Sequence, residues 1–306
     1  MPFSTLAIIG PTASGKSNLS LNVIEALAAQ GYNAEVINAD AMQLYRGLDI
    51  GTAKLMVEHR KGIVHHLIDE ISPSQEMTAV EYSLLAKSKA ESIIQAGKLP
   101  VFVGGSMFYL SAALDKLDFA PTDSNLREAL EAEADSVGNL EMHRRLQEKD
   151  PISASRIHSR NVRKVIRALE VIELTGKPFS ASLPEQQYLR PTLTIGIDVD
   201  RTELKNRIEQ RVHGMWSQGL LDEAQGLLDS SEPLSKTARA AIGYQQAFDY
   251  LQGVSERQSA IENTIQLTNR YARRQMSWFG RDQRIHWLPD HHELSVSALE
   301  RIRLER

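Results

Sequence analysis

The stretch Gly10-Pro11-Thr12-Ala13-Ser14-Gly15-Lys16-Ser17 fills every fixed position of the pattern G-x-x-x-x-G-K-[ST]. In such a loop the backbone N–H groups and the start of the following helix form a nest for phosphate oxygens. Lys16 adds a point charge there, and the Ser17 hydroxyl suits Mg²⁺ ligation. Asp40 follows one strand–helix unit later, at the end of a second apolar run, and so faces the same crevice. A carboxylate in that place serves as general base, holds a metal through water, or caps a helix. Ser106 follows Gly104-Gly105 at a third strand end, where its hydroxyl enters the crevice or caps the next helix. Arg207 and Arg211 share a helix face, and either could clamp a phosphate bidentately.

Two further stretches are rich in cations. Arg156, His158, Arg160, Arg163, Lys164 and Arg167 occur with no acidic residue among them. They suit the phosphate contacts of a looped RNA, or they form a solvated face in which Arg167 pairs with Glu170. From Arg270 to Arg281, Tyr271, Trp278 and Phe279 alternate with Arg270, Arg273, Arg274 and Arg281. That mixture suits stacking on bases, although an adjacent Trp278-Phe279 pair should send at least one ring into a core. His65-His66 and His291-His292 lack metal-site spacing and read as surface or packing residues.

The elements that position these residues read as alternating strands and helices, the pattern of a parallel sheet with crossover helices. Strands are expected at Thr5–Ile9, Glu35–Asn38, Pro100–Val103, Leu193–Val199 and Arg284–Leu288. Helices are expected after the loop as far as Gly31, over Ala79–Ala96 with Gly97 as the stop, and over Thr202–His213. From Pro121 to Thr175 the strand signal vanishes, and Leu126–Ala134, Leu140–Glu148 and Val162–Leu174 read as charged amphipathic helices. The expected organisation is a core of residues 1–117 and 190–306 interrupted by an all-helical insertion, residues 118–189.

With 306 residues, 42% hydrophobic and 24% charged, the composition is that of an ordinary globular protein. No apolar run is long enough to span a membrane. The first strand starts too early to leave room for a signal peptide, so the cytoplasm is the expected compartment. Zero cysteines exclude disulfides, a thiol nucleophile and a cysteine zinc site. The net charge of −4 divides into an acidic half, residues 1–150, and a basic half, residues 151–306, which points to a polyanion partner for the latter.

Taken in order, these motifs resemble those of the bacterial tRNA dimethylallyltransferases, over almost the whole chain. The resemblance rests on Gly10–Ser17, on Asp40 through Lys54 with its Ile50-Gly51-Thr52-Ala53-Lys54 string, and on Val103–Ser106. It continues through Arg163–Glu170 with its Arg167-Ala168-Leu169-Glu170 string, Arg207–Arg211, Ile242-Gly243-Tyr244 and Arg273-Arg274-Gln275. It implies a P-loop NTPase-like α/β fold with the helical insertion contacting tRNA. It also implies prenyl transfer from dimethylallyl diphosphate to the N6 amine of the adenosine just 3′ of the anticodon, position 37, with Mg²⁺ as cofactor, in a monomer.

By the same resemblance the loop holds the donor diphosphate. Lys16, Arg211 and Mg²⁺ on Ser17 stabilise the leaving group, Asp40 is general base, and Ser106 holds the base. The implied tRNA contacts are Asp40, Ala41, Met42, Gln43, Ser106, Arg127, Arg163, Lys164, Arg167, Tyr244, Gln245, Arg273 and Arg274, with Gln275 in the same run. The chain departs from the family pattern at Ala41, where a serine is usual, and at Ser106, where a threonine is usual. A small-molecule P-loop kinase shares the loop but leaves the basic helix unexplained, and an adenylate isopentenyltransferase has no use for either basic stretch. A nucleotide-dependent RNA-binding switch is set apart by nucleotide-sensitive binding with no product.

Overall fold

The computed structural model describes residues 3–117, 119–182, 186–291 and 293–305. Six strands, β1 (Thr5–Ile9), β2 (Ala34–Ala39), β3 (His65–His66), β4 (Leu99–Gly104), β5 (Thr192–Asp198) and β6 (Ile285–Pro289), form one sheet in the order β3-β2-β4-β1-β5-β6. Every pairing is parallel, from Leu6 against Val101 to Thr194 against Ile285. Helices cover both faces of such a sheet, so central strands carry apolar runs rather than alternation. All residues of β1 and β4 are accordingly buried.

The chain leaves β1 for β2 on one side and leaves β4 for β5 on the other. The carboxyl ends of β1 and β4 therefore open a crevice, the usual ligand position in open α/β sheets. Gly104 is needed beside it, because a Cβ there would stand 2.2 Å from the Ala39 carbonyl oxygen.

The five strands expected from the sequence are present, β1 with the expected ends and the other four with each end shifted by one residue. The sequence missed β3, which has only two residues and is held by backbone pairing with Val36 and Ile37. His66 in β3 also bonds Glu35 at 2.6 Å, so this histidine ties an edge strand to its neighbour. His292 lies outside the described residues. The loop helix covers Lys16–Ala28, and Ala79–Gln95 begins with a Thr78–Glu81 capping box. Arg201–Ser217 extends beyond its expected end and Met107–Leu114 was not read from the sequence, while the long helix Arg257–Phe279 lies where further helices are expected before the last strand but without assigned bounds.

The chain divides into two compact units, one of residues 1–115 and 188–306, the other Lys116–Gln187. The second contains helices Ser124–Val137, Asn139–Lys149, Pro151–Arg156 and Val162–Thr175, packed on Leu130, Met142, Leu146, Val165, Ile166 and Leu169. Its ends are paired, Lys116 N–H donating 2.8 Å to the Gln187 carbonyl. On the sheet side, Leu189 N–H donates 2.7 Å to the Leu114 carbonyl. Arg284 fastens this junction, bonding Asp115 at 2.7 Å and lying 3.8 Å from the Tyr188 ring centroid.

Candidate active site

The loop between β1 and helix Lys16–Ala28 has Ala13 at φ 63° and Gly15 at φ 84°, the left-handed turns that curl successive N–H groups inward. Lys16 folds back over it, its ammonium donating 2.6 Å to the Pro11 carbonyl. Burial pulls that ammonium down to about 8, against the attraction of Asp40 and with the repulsion of Arg211. Arg211, on helix Arg201–Ser217, donates 3.2 Å to the Thr12 hydroxyl, and burial lowers its pKa against the same Asp40 charge. Ser14 Oγ is buried without a hydrogen-bond partner. Two desolvated cations, an unsatisfied hydroxyl and an inward-curled backbone are the donor set an oligophosphate requires. The Ser17 hydroxyl is exposed at the same helix start, and with phosphate oxygens it gives the hard oxygen ligands Mg²⁺ prefers.

Asp40 ends β2 in a braced turn. Asn38 holds it by accepting from Asp40 N–H at 3.0 Å and donating to the Asp40 carbonyl at 3.0 Å and that of Leu67 at 2.8 Å. Tyr82 fixes the same strand end by donating 2.8 Å to the Asn38 carbonyl. One Asp40 carboxylate oxygen accepts from Met42 N–H at 3.0 Å, a local turn bond two residues on. The N-cap of the short helix Met42–Leu44 is Ala41, so Asp40 does not take the capping role foreseen as one alternative. The carboxylate nevertheless stays close enough to Lys16 and Arg211 to affect both.

Ser106 stands at the start of helix Met107–Leu114 without capping it. Its Oγ accepts instead from Ala41 N–H at 2.8 Å, which joins the ends of β2 and β4. A backbone donor makes this bond, so the alanine at 41 does not prevent it. Tyr271, which the sequence offered only as one aromatic among arginines, has its hydroxyl within reach of Ser106 and Gln275. Burial and the Asp40 charge push that hydroxyl up to about 12, so it is a donor at neutral pH. Nothing in the sequence marked Asn38 or Tyr82 as supports, because a buried polar residue in a strand or helix has no spacing signature.

Residues 43–282 match the IPP transferase family. The chain belongs to that family. A tRNA dimethylallyltransferase of Thermobifida fusca is 46% identical over 286 residues, covering 94% of this chain and 90% of its own. That of Kineococcus radiotolerans is 46% identical over 285 residues, 93% of this chain and 90% of its own. Among solved structures, the tRNA isopentenylpyrophosphate transferase of Bacillus halodurans superposes with a TM-score of 0.71 at 36% identity, over 99% of this chain and 96% of its own. A eukaryotic dimethylallyltransferase acting on tRNA gives 0.80 at 27% identity, over 97% and 77%. The architecture is the P-loop NTPase-like α/β fold expected.

Within this IPP transferase several motif residues turn out to be internal supports. Tyr244 is fully buried, its hydroxyl bonded to Glu223 and accepting from Gly51 N–H at 3.1 Å, so it offers no surface to RNA. Its ring packs where a Gly51 Cβ would fall, 2.4 Å away, which explains the glycine of the Ile-Gly-Thr-Ala-Lys string. Lys54 closes that string by donating to the Tyr45 carbonyl at 2.8 Å and to Asp49 and Asp69 at 2.5 Å. Gln275 is 2% exposed and engaged at both ends of its amide, again a correction to an RNA-facing reading. Arg207 is occupied by Glu203 at 2.7 Å and Asp290 at 2.6 Å, which leaves Arg211 as the arginine of that pair beside the loop.

Ala41, Met42 and Gln43 are half-buried, with Gln43 donating 3.2 Å to the Thr52 carbonyl. Gln245 is half-buried and bonds Asp249 at 2.8 Å. Arg273 and Arg274 are exposed, and Arg274 lies 5.6 Å from the Tyr271 centroid. Phe279 is buried and Trp278 exposed, resolving the adjacent pair as one core ring and one surface ring.

In the helical unit, Arg127 and Arg167 converge on Glu170, whose side chain is fully buried, at 3.0 and 2.8 Å. Arg167 also donates to the carbonyls of Ala120 and Pro121 at 2.8 and 2.9 Å. Burial opposes ionisation of Glu170, but bonds from Arg167, Asp123 N–H and Arg127 outweigh it and hold the carboxyl below its usual range. Arg167 and Arg127 are therefore committed to a structural ion pair, as the pairing alternative foresaw for Arg167. Arg163 and Lys164 are exposed on the same helix.

Proposed function

We propose that this enzyme transfers a dimethylallyl group from dimethylallyl diphosphate to N6 of adenosine 37 in tRNA and releases diphosphate. The observation that carries the reading is the convergence of an anion nest, Lys16 and Arg211 with a braced carboxylate–hydroxyl pair, Asp40 and Ser106, in a chain of the IPP transferase family.

The donor diphosphate occupies the nest Gly10–Ser17. A cleft of about 630 Å³ adjoins Ala13, with Arg211, Arg207, Lys54 and Asp49 in its lining beside Ile50, Ala53, Met56 and Met215, the side chains available to hydrocarbon. As the allylic C–O bond breaks, the electron pair stays on the diphosphate oxygen, where Lys16 and Arg211 meet the growing charge. Ser17 would hold Mg²⁺, which would supply a divalent charge to stabilise the leaving diphosphate. The exocyclic amine forms the new C–N bond and gives one proton to Asp40. Ser106 hydrogen-bonds the same adenine. The base must leave its stack to react, at a cost of about a few kcal/mol that RNA phosphate contacts offset.

Arg163, Lys164, Arg273 and Arg274 are the exposed candidates for those contacts. The same reading has the enzyme work as a monomer in the cytoplasm on the anticodon stem-loop. The test is mass spectrometry of nucleosides from unmodified tRNA incubated with the protein, Mg²⁺ and dimethylallyl diphosphate, with free AMP in parallel. Prenylated adenosine from tRNA alone is expected. Product on AMP alone, or ATP hydrolysis with no prenylated product, refutes the reading.

A further inference from the structure

Gln275 lies on helix Arg257–Phe279 and is 2% exposed, yet both ends of its amide are used across long chain separations. Its Oε1 accepts from Thr12 N–H at 2.9 Å, and its Nε2 donates to the Gly105 carbonyl at 2.8 Å. The partners fix the orientation of the amide, since one is a donor and the other an acceptor. Thr12 belongs to the phosphate nest, and Gly105 precedes Ser106. The two loops are tight enough that a Cβ on Gly105 would stand 2.3 Å from Gln275 Nε2 and 2.9 Å from the Gly10 carbonyl oxygen. Tyr271, one helical turn earlier on the same face, directs its hydroxyl to Ser106 and Gln275.

We infer that Gln275 is a positioning residue that sets the gap between the loop holding the donor diphosphate and the loop holding the acceptor base. The inference rests on the function proposed above. In-line displacement at carbon needs nucleophile and leaving group at a fixed separation, and misplacement by about 1 Å can lower the rate on the order of 100-fold. The brace needs one acceptor and one donor in a single planar group, which an amide provides and a carboxylate does not.

Two variants test it. Gln275→Leu removes both bonds at similar volume and should lower kcat by about 10- to 100-fold, with tRNA affinity unchanged because the side chain does not reach the surface. Gln275→Glu keeps the acceptor for Thr12 but turns a second oxygen toward the Gly105 carbonyl. Protonation of that carboxyl restores a donor, and burial raises the pH at which this occurs. Its kcat relative to the unmodified enzyme should therefore rise as pH falls, whereas the ratio for Gln275→Leu should stay flat.

Both variants within about twofold of normal kcat overturn the inference, as does a fall in tRNA affinity with kcat intact. A loss that follows melting temperature with no change in the pH ratio likewise reduces Gln275 to a packing residue. Hydrogen exchange keeps this question separate from the reaction: peptides over residues 10–17 and 104–108 should both lose protection in Gln275→Leu. If the unmodified protein prenylates no tRNA, the proposed function fails while exchange still decides whether the two loops are coupled.

Discussion

Donor binding should take up a proton, and the amount follows from Lys16. Its ammonium titrates at about 8 in the free protein because burial outweighs the attraction of Asp40. A diphosphate in the nest brings negative charge against Lys16 Nζ and raises that value. On simple titration about one half of the lysine is neutral at pH 8 and about nine-tenths at pH 9. Binding of dimethylallyl diphosphate should then draw about 0.5 proton at pH 8 and about 0.9 at pH 9. The ligand itself contributes little, since a phosphate monoester completes its ionisation near pH ~6.

The sign for affinity follows directly. The ligand prefers the protonated lysine, so affinity is nearly level from pH 7 to 8 and falls towards tenfold per unit above that, until the bound pKa is reached. Calorimetry at pH 8 and 9, in buffers of different ionisation enthalpy, counts the protons. Lys16→Met should bind more weakly and with no uptake. Uptake near zero at pH 9 with level affinity would refute the argument that desolvation governs this lysine.

Three other variants address the remaining roles. Asp40→Asn keeps the acceptor for Met42 N–H and should lower kcat by about 10²- to 10⁴-fold. Its tRNA dissociation constant should stay within a few-fold, and near-normal turnover would remove Asp40 from proton transfer. Arg163→Glu combined with Lys164→Glu should make the dependence of log K on log salt shallower by about 1.5, read by filter binding from low to high salt. An unchanged slope would show that this exposed face does not touch RNA. Glu170→Ala removes the buried carboxylate bonded by Asp123 N–H and by two partly exposed arginines and should destabilise the helical unit by about 1–3 kcal/mol in denaturant unfolding. A loss below about 1 kcal/mol would show that water replaces the pair without strain.

The sheet was readable because buried parallel strands leave short apolar runs with Gly at their ends, as at β1 and β4. β3 left no such trace, since a two-residue edge strand is defined by backbone pairing and its histidines carry no hydrophobic pattern. The loop Gly10–Ser17, Asp40 and Ser106 were legible from spacing, each at the carboxyl end of a strand that could itself be read. The sequence could not separate surface from interior in the motif strings. Tyr244, Lys54 and Gln275 look like polar residues awaiting a ligand, yet each is buried: Tyr244 and Gln275 answer backbone groups from distant segments, and Lys54 answers the Tyr45 carbonyl and the carboxylates of Asp49 and Asp69. Such pairing depends on tertiary approach, for which local periodicity holds no information. Arg167 shows the converse: its pairing with Glu170 was visible as an i,i+3 relation, while the second partner, Arg127, came from another helix.

The paired junction also bears on the order of folding. β5 must find β1 across an interruption that spans residues 116–187, and closing a disordered loop of that length costs about 4 kcal/mol beyond a fixed term. The bond between Lys116 N–H and the Gln187 carbonyl brings the two ends of the helical unit together within that unit. Once these helices have formed, Asp115 and Tyr188 start as near neighbours, and the sheet closes as though a short turn joined them. Local helix contacts thus lower the entropic barrier to the longest-range strand pairing in the nascent chain, and a destabilised insertion should slow assembly of a core it does not catalyse for.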